Sequence, residues 1–283
     1  MSTLIERPAI EYNLSEHCNL SCEGCNHASP LFSESFADLV EFERDLTALS
    51  EVLHAQQMRI VGGEPTLHPQ LLEFLKVVRR VGIADSTVLY TNGVLLHRLD
   101  PEVWELIDEL FLSVYPGVRM VLSVAALEVI AREHGVKLRR YEIDTFTLTV
   151  LNNPIEDPEV IRQTFRSCAI AGEWSCHPIH GGRFYKCALA PFHQARLEKI
   201  GLRVESNHAD GVPLHHNPNL REQLERYLAD EKPLRACDYC MGTSGPTLPH
   251  RMLNKKGKEG WLTEDHRPAI AQFTKRVLAG VKR

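Results

Sequence analysis

The chain has 283 residues, 43% hydrophobic and 24% charged, with a formal net charge of −5. That is the balance of a globular protein with a sizeable core, and the negative charge argues against a nucleic-acid backbone as partner. No apolar run reaches the roughly 20 residues of a membrane span, and residues 1–8 lack the apolar core of a secretory signal. Eight cysteines without such a signal point to a reducing, cytoplasmic setting, where clustered thiols bind metal more often than they pair.

Residues 9–14 alternate apolar and polar positions and predict a strand. Cys18, Cys22 and Cys25 follow at once as C-x3-C-x2-C. Three thiolates on so short a loop can hold three corners of a cubane iron–sulfur cluster and leave the fourth iron without a protein ligand. The competing readings are a zinc site, which prefers paired knuckles closing to four ligands, and unrelated thiols. An odd triplet cannot pair internally as disulfides.

Apolar spacing then predicts a helix over 36–53, a strand over 58–61 and a helix over 70–81, with Gly62-Gly63-Glu64-Pro65 between the last two. This stretch reads either as a tight strand-to-helix turn or as a ligand-holding loop with close backbone approach. A strand over 87–91 ends at Asn92-Gly93, and Pro101 stands where a helix can begin. Residues 103–110 lead into a strand over 111–115. A helix over 120–133 and strands over 136–141 and 145–150 complete the alternation, which predicts parallel strands with helices outside.

Residues 152–158 carry two prolines and read as a linker. Cys168, Cys176, Cys187, Cys237 and Cys240 all lie beyond it. Residues 181–187 read as a hairpin, and His177 and His180 as exposed loop residues. Residues 208–219 look like loop, 220–228 like helix, 242–258 like loop and 270–281 like a basic terminal helix. Cys237-Asp238-Tyr239-Cys240 is a C-x2-C knuckle of the kind found in zinc and iron–sulfur sites alike.

The N-terminal triplet resembles the signature of the radical S-adenosylmethionine (SAM) enzymes, with Gly24 where many members carry an aromatic residue near the adenine. Gly62, Gly63, Glu64 and Pro65 resemble that family's glycine motif for the amino end of SAM. By the same resemblance Thr91 and Asn92, at the end of one strand, and Ser113, on the next, are implied to hold the ribose or carboxylate, with turn formation at Asn92-Gly93 and a mid-strand serine as the competing readings. The resemblance implies a partial (β/α)6 TIM-like barrel over 1–155 and an external one-electron reductant of the flavodoxin or ferredoxin type. Cys168-x13-Gly182-x4-Cys187 is similar to the pattern of the SPASM and twitch extensions. With Cys237 and Cys240 it implies one auxiliary [4Fe-4S] cluster in a small cysteine-rich twitch-type domain over 156–283, beside the SAM-binding [4Fe-4S] cluster.

Cys176 is then left over, as an alternative ligand to Cys168, a buried thiol, or a hydrogen donor. The resemblance extends to the aminocyclitol dehydrogenases of aminoglycoside biosynthesis. It implies abstraction of hydrogen from a carbohydrate or aminocyclitol carbon and oxidation of a secondary alcohol. An epimerase with a cysteine donor is the alternative. A peptide-modifying enzyme and a non-enzymatic zinc module are the more distant ones. The predicted barrel starts within about ten residues of Met1, which counts against a leader-binding domain. Neither nucleic acid nor membrane is expected as a partner.

Overall fold

The computed structural model describes residues 4–204 and 207–281, so Met1, Ser2 and Thr3 of the predicted barrel segment and Lys282 and Arg283 of the predicted tail lie outside the described residues. Strand β1 (Ile5–Asn13), helix α1 (Leu39–Ser50), β2 (Leu53–Val61), α2 (Leu71–Val81), β3 (Ala84–Thr91), α3 (Glu102–Leu106), β4 (Glu109–Val114), α4 (Val124–Glu133) and β5 (Lys137–Glu142) alternate as expected. They are followed by β6 (Thr145–Thr147), α5 (Pro158–Arg166), β7 (Pro178–His180), β8 (Arg183–Tyr185), α6 (His193–Lys199), β9 (Gly211–Pro213), α7 (Leu220–Ala229), β10 (Thr247–Pro249), α8 (Lys255–Thr263) and α9 (Arg267–Val281). No helix among the described residues is long and apolar enough to cross a membrane.

The main sheet runs β5-β4-β3-β2-β1-β7-β8-β9. Neighbours from β5 to β7 are parallel, and β8 and β9 return antiparallel. This is a mixed α/β fold with a parallel-strand sheet, compatible with a partial TIM-like barrel. The predicted strand over 145–150 differs. It shortens to β6 and leaves the main sheet to pair with β10, because residues 148–151 turn inward to a second core around Leu148, Leu151, Val160, Met241 and Phe273.

Register explains which face does what. Tyr12, Ile60, Leu89, Leu110 and Leu138 align across the five strands and face the main core with Phe42 and Leu46 of α1 and Phe74 of α2. Burying each such side chain contributes about 1.5–3 kcal/mol. One residue along, Asn13 aligns with Val61, while Tyr90, Phe111 and Arg139 align with one another. Side chains alternate along a strand, so this row and its polar neighbours face the opposite side.

The predicted 36–53 helix is shorter than expected. Asp38 caps α1 by accepting the Glu41 amide at 2.8 Å, and Phe36 instead forms an isolated bridge to Ser15. Leu53 already pairs with Ile5 as the first residue of β2. The loop predicted over 242–258 contains β10 and the start of α8. Its short, proline-flanked strand has no alternation long enough to read.

Residues 152–158 are more tightly held than their composition suggests. Pro158 opens α5 behind the Asp157 cap. The Asn152 side chain is buried; its Nδ2 donates to the carbonyls of Trp261 (2.8 Å) and Glu264 (3.1 Å), and its Oδ1 accepts from Arg196 at 2.6 Å. Replacing Asn152 with alanine strands two carbonyls and part of a buried guanidinium, so urea unfolding should show a loss of about 2–4 kcal/mol. A change below about 0.5 kcal/mol, the level of a surface substitution, would contradict that account.

Candidate functional site

At the C-terminal ends of β1–β4 lies a cavity of about 250 Å³ lined by Cys18, Cys22 and Cys25, by Gly62, Gly63 and Glu64, and by Thr91, Asn92 and Ser113. The structure thus brings together every thiol of the first triplet and all the residues expected beside it except Pro65, which opens the short 3-10 turn behind the loop.

The glycine loop earns its shape from its neighbour in the chain fold. Gly62 has φ +138°, and a Cβ there would stand 2.5 Å from the Ser15 carbonyl oxygen. At Gly63 a Cβ would meet the His17 carbonyl oxygen at 2.0 Å. The Gly63 amide donates to Ser15 O at 2.8 Å and the Glu64 amide to His17 O at 3.2 Å. The close approach that glycine permits is therefore to backbone 15–17, immediately before Cys18, and the motif holds the cysteine loop in place.

Glu64 is buried and fully used. Its carboxylate accepts from the Thr66 amide at 3.1 Å and hydroxyl at 2.5 Å, from Thr91 Oγ1 at 2.7 Å and from the Asn92 amide at 2.8 Å. Burial pushes its pKa up while these donors pull against it. Thr91 thus braces Glu64. Asn92 Nδ2 donates to Asn19 Oδ1 at 2.7 Å and lies 3.6 Å from Cys18 Sγ.

Tyr90, Tyr115 and Phe146 also line the cavity and were missed in the sequence. Tyr90 and Tyr115 stand two residues from Asn92 and Ser113, so strand alternation carried a signal for both. Phe146 carried none: it reaches the cavity through the β6–β10 pairing. A Cβ on Gly24 would meet Phe146 at 3.6 Å and Leu248 at 3.8 Å. An aromatic ring from elsewhere thus occupies the neighbourhood that Gly24 leaves open.

The donor set suits a thiolate-held cluster. Burial pushes Cys18 and Cys22 up to about 12 and raises Cys25, so a bound cation has to stabilise the thiolates. Asn26 Oδ1, on the cavity wall, is buried without a hydrogen-bond partner among the described residues. A ligand donor can satisfy it. No group of three or more His, Cys, Asp or Glu among the described residues is gathered for a single metal ion.

A second cavity is lined by Cys168, Cys187, Cys237 and Cys240. Cys168 follows the end of α5, Cys187 follows β8, and the knuckle is zipped to residues 149–151 through Leu151 N to Tyr239 O (2.9 Å) and Met241 N to Thr149 O (2.8 Å). The predicted hairpin is β7–β8, closed by Gly181 and Gly182 with φ +54° and +69°. Those positive angles suit a two-residue hairpin turn. Burial pushes Cys240 up to about 12 and raises Cys187 and Cys237, whose neighbouring thiols add to the effect.

Cys176 does not line the four-thiol cavity, although it packs in the small apolar cluster beside it. Arg59 Nη1 lies 4.0 Å from its Sγ, 3.3 Å from Glu11 Oε1 and 2.9 Å from the Trp174 carbonyl oxygen. Burial, with the Glu11 carboxylate, pushes the Cys176 thiol up.

His177, expected in an exposed loop, is buried. Arg7 Nη2 lies 2.9 Å from its Nε2, and its Nδ1 lies 3.0 Å from the Lys186 carbonyl oxygen. Burial lowers its pKa to about 4. His180 lies on β7, half-buried, with its ring against Phe192. The charges on Glu11 and Arg59 hid this packing, because they sit on the inner face of strands that read as ordinary alternation.

Fold and site together define an α/β protein whose strand ends gather three cysteine thiols around one cavity. Residues 12–121 match the family model described as a 4Fe-4S single cluster domain. A GTP 3′,8-cyclase of Haemophilus ducreyi is 24% identical over 174 residues, covering 52% of this chain and 50% of that protein. One of Chlorobaculum tepidum is 35% identical over 89 residues, covering 31% and 27%. Over these stretches the chain is similar to the 4Fe-4S single cluster domain and to the GTP 3′,8-cyclases. The chain spans half or less of the length of these two relatives. Among solved structures it is similar to BtrN in complex with AdoMet and 2-DOIA, at 16% identity and TM-score 0.47, covering 87% of this chain and 96% of that one.

Proposed function

We propose that the chain oxidises a secondary alcohol of a sugar or aminocyclitol by a radical route. Cys18, Cys22 and Cys25 would hold a [4Fe-4S] cluster, and Cys168, Cys187, Cys237 and Cys240 an auxiliary one. When bound, the two clusters supply the electron that splits SAM into methionine and a 5′-deoxyadenosyl radical, and an acceptor for the electron the substrate gives up. The observation that carries this reading is the gathering of four thiols around one cavity, apart from the SAM-side triplet. Four thiols suit a closed, electron-carrying site.

The chain's own residues divide the remaining tasks. Asn26, Asn92 and Ser113 offer hydrogen-bonding groups to SAM, and Phe146 a ring for its adenine. Tyr90 and Tyr115 add hydroxyls to the cavity wall, which suits a polyhydroxylated substrate. Arg196 is buried, donates to the Leu151 carbonyl at 2.7 Å, and feels the charge of Cys240. A fixed cation there favours the more negative, reduced state of a neighbouring acceptor and so promotes electron uptake.

A second reading, epimerisation, is favoured by Cys176, which lies off the four-thiol cavity and is kept as a neutral thiol. Turnover in deuterated water separates the two. Oxidation predicts a product two mass units lighter than the substrate, whereas a one-unit gain makes the protein an epimerase. The substrate would be drawn from a panel of amino sugars and aminocyclitols.

A further inference from the structure

The segment after β10 lies directly on the first cysteine loop. The Leu253 amide donates to Ser21 O at 2.6 Å and the Glu23 amide to Arg251 O at 2.8 Å, and Cys22 and Met252 form an isolated bridge. His250 Nε2 stands 3.3 Å and Met252 Sδ 3.9 Å from Cys22 Sγ. Yet Met252 is 46% exposed. One side chain therefore touches both solvent and a thiol of the SAM-side triplet.

The residues that follow it in the chain are basic, in a protein of net charge −5. Residues 251–258 hold Arg251, Lys255, Lys256 and Lys258 and no acid. Arg251 is neutralised by a two-pronged pair with Glu23 at 2.6 and 3.0 Å, which leaves three lysines. All three fall in the first turn of α8, where the helix dipole disfavours cations. The helix gains nothing from them there. Lys255 and Lys256 are exposed, and the acid that follows in α8 is Glu259.

We propose that Met252 and the lysines of α8 form the docking surface for a small acidic electron-carrier protein, which delivers its electron to the cluster site through the Met252–Cys22 contact. This deepens the radical reading above and rests on it. In each delivery the carrier is oxidised by one electron, and that electron is consumed in breaking the sulfonium carbon–sulfur bond. Opposite charge steers such encounters, which are short-lived and salt-sensitive.

The test compares wild type with K255E/K256E/K258E, using a bacterial flavodoxin as carrier and dithionite as a small reductant. Calorimetric binding of oxidised flavodoxin should weaken roughly tenfold or more at about 50 mM salt, and wild-type binding should fade by about 300 mM. Flavodoxin-driven release of 5′-deoxyadenosine should fall by a similar factor, while the dithionite-driven rate stays within about twofold, since steering acts on the protein carrier alone. Unchanged flavodoxin binding overturns the proposal, as does an equal fall with both reductants. If wild type releases no 5′-deoxyadenosine with dithionite, the radical reading fails, and the binding measurement still decides the docking surface.

Discussion

Anaerobically reconstituted Cys25→Ala protein is expected to release no 5′-deoxyadenosine above background from SAM and dithionite, and to hold about half the wild-type iron. Cys25 is the triplet thiol most completely set up for a negative charge. The amides of Ser29, His27 and Ala28 point at its sulfur, and the Ala28 amide also donates to the Cys25 carbonyl at 2.9 Å. Convergent N–H groups form a nest that favours an anion and pull against the burial, which still raises the thiol. Alanine removes the sulfur that these amides face, although the Ala28 amide keeps its bond to the carbonyl of residue 25. Cys18 and Cys22 remain, but two thiolates cannot fix a cluster that still presents one open iron. Far-UV circular dichroism should be unchanged, because the cysteine loop is held independently by Gly63 and Glu64 on backbone 15–17. Full 5′-deoxyadenosine release by this variant would remove Cys25 from the cluster site.

Much of this was readable before any coordinates, for reasons that differ by region. From β1 to β5 consecutive strands of the chain are also neighbours in the sheet, so local periodicity and global position agree. The run 9–14, with Tyr12 in it, showed its strand by alternation, whereas Leu110 reads as part of the segment before the strand and belongs to β4. The polar residues Thr91, Asn92 and Ser113 came from the family resemblance and not from periodicity. Agreement ends at β6. Its three residues pair with β10, a hundred residues away, and no short-range pattern can report a contact of that separation. Long sequence separation also hid Phe146 at the cavity, Met252 on Cys22 and Asn152 beneath Trp261. His177 misled differently. A histidine between a cysteine and a proline reads as loop, but Arg7 and the Lys186 carbonyl satisfy it inside the fold. Glycine was the subtlest case: Gly62 and Gly63 read either as a tight turn or as a ligand-holding loop, and the structure adds a third demand, the close approach of backbone 15–17.

The division between Cys176 and the four cavity thiols sets the second large expectation. Cys240→Ala should keep dithionite-driven release of 5′-deoxyadenosine within about threefold of wild type but lower the ketone by roughly 100-fold or more, since it removes an interaction needed only after hydrogen abstraction. Cys176→Ala should do neither. The physical basis is placement. Cys240 shares its cavity with Cys168, Cys187 and Cys237 and bridges to Val150, with the Gly242 amide donating to its sulfur at 3.2 Å. Cys176 lies instead beside Arg59 and Glu11. At Gly242 a Cβ would stand 3.2 Å from Cys168 Sγ, so the turn after the knuckle leaves room for Cys168 to reach the shared space. Mass spectrometry of product and 5′-deoxyadenosine together checks both variants. The reverse outcome, a Cys176→Ala protein that cleaves SAM without product beside an active Cys240→Ala protein, would assign the chemistry to the lone thiol and make the enzyme an epimerase.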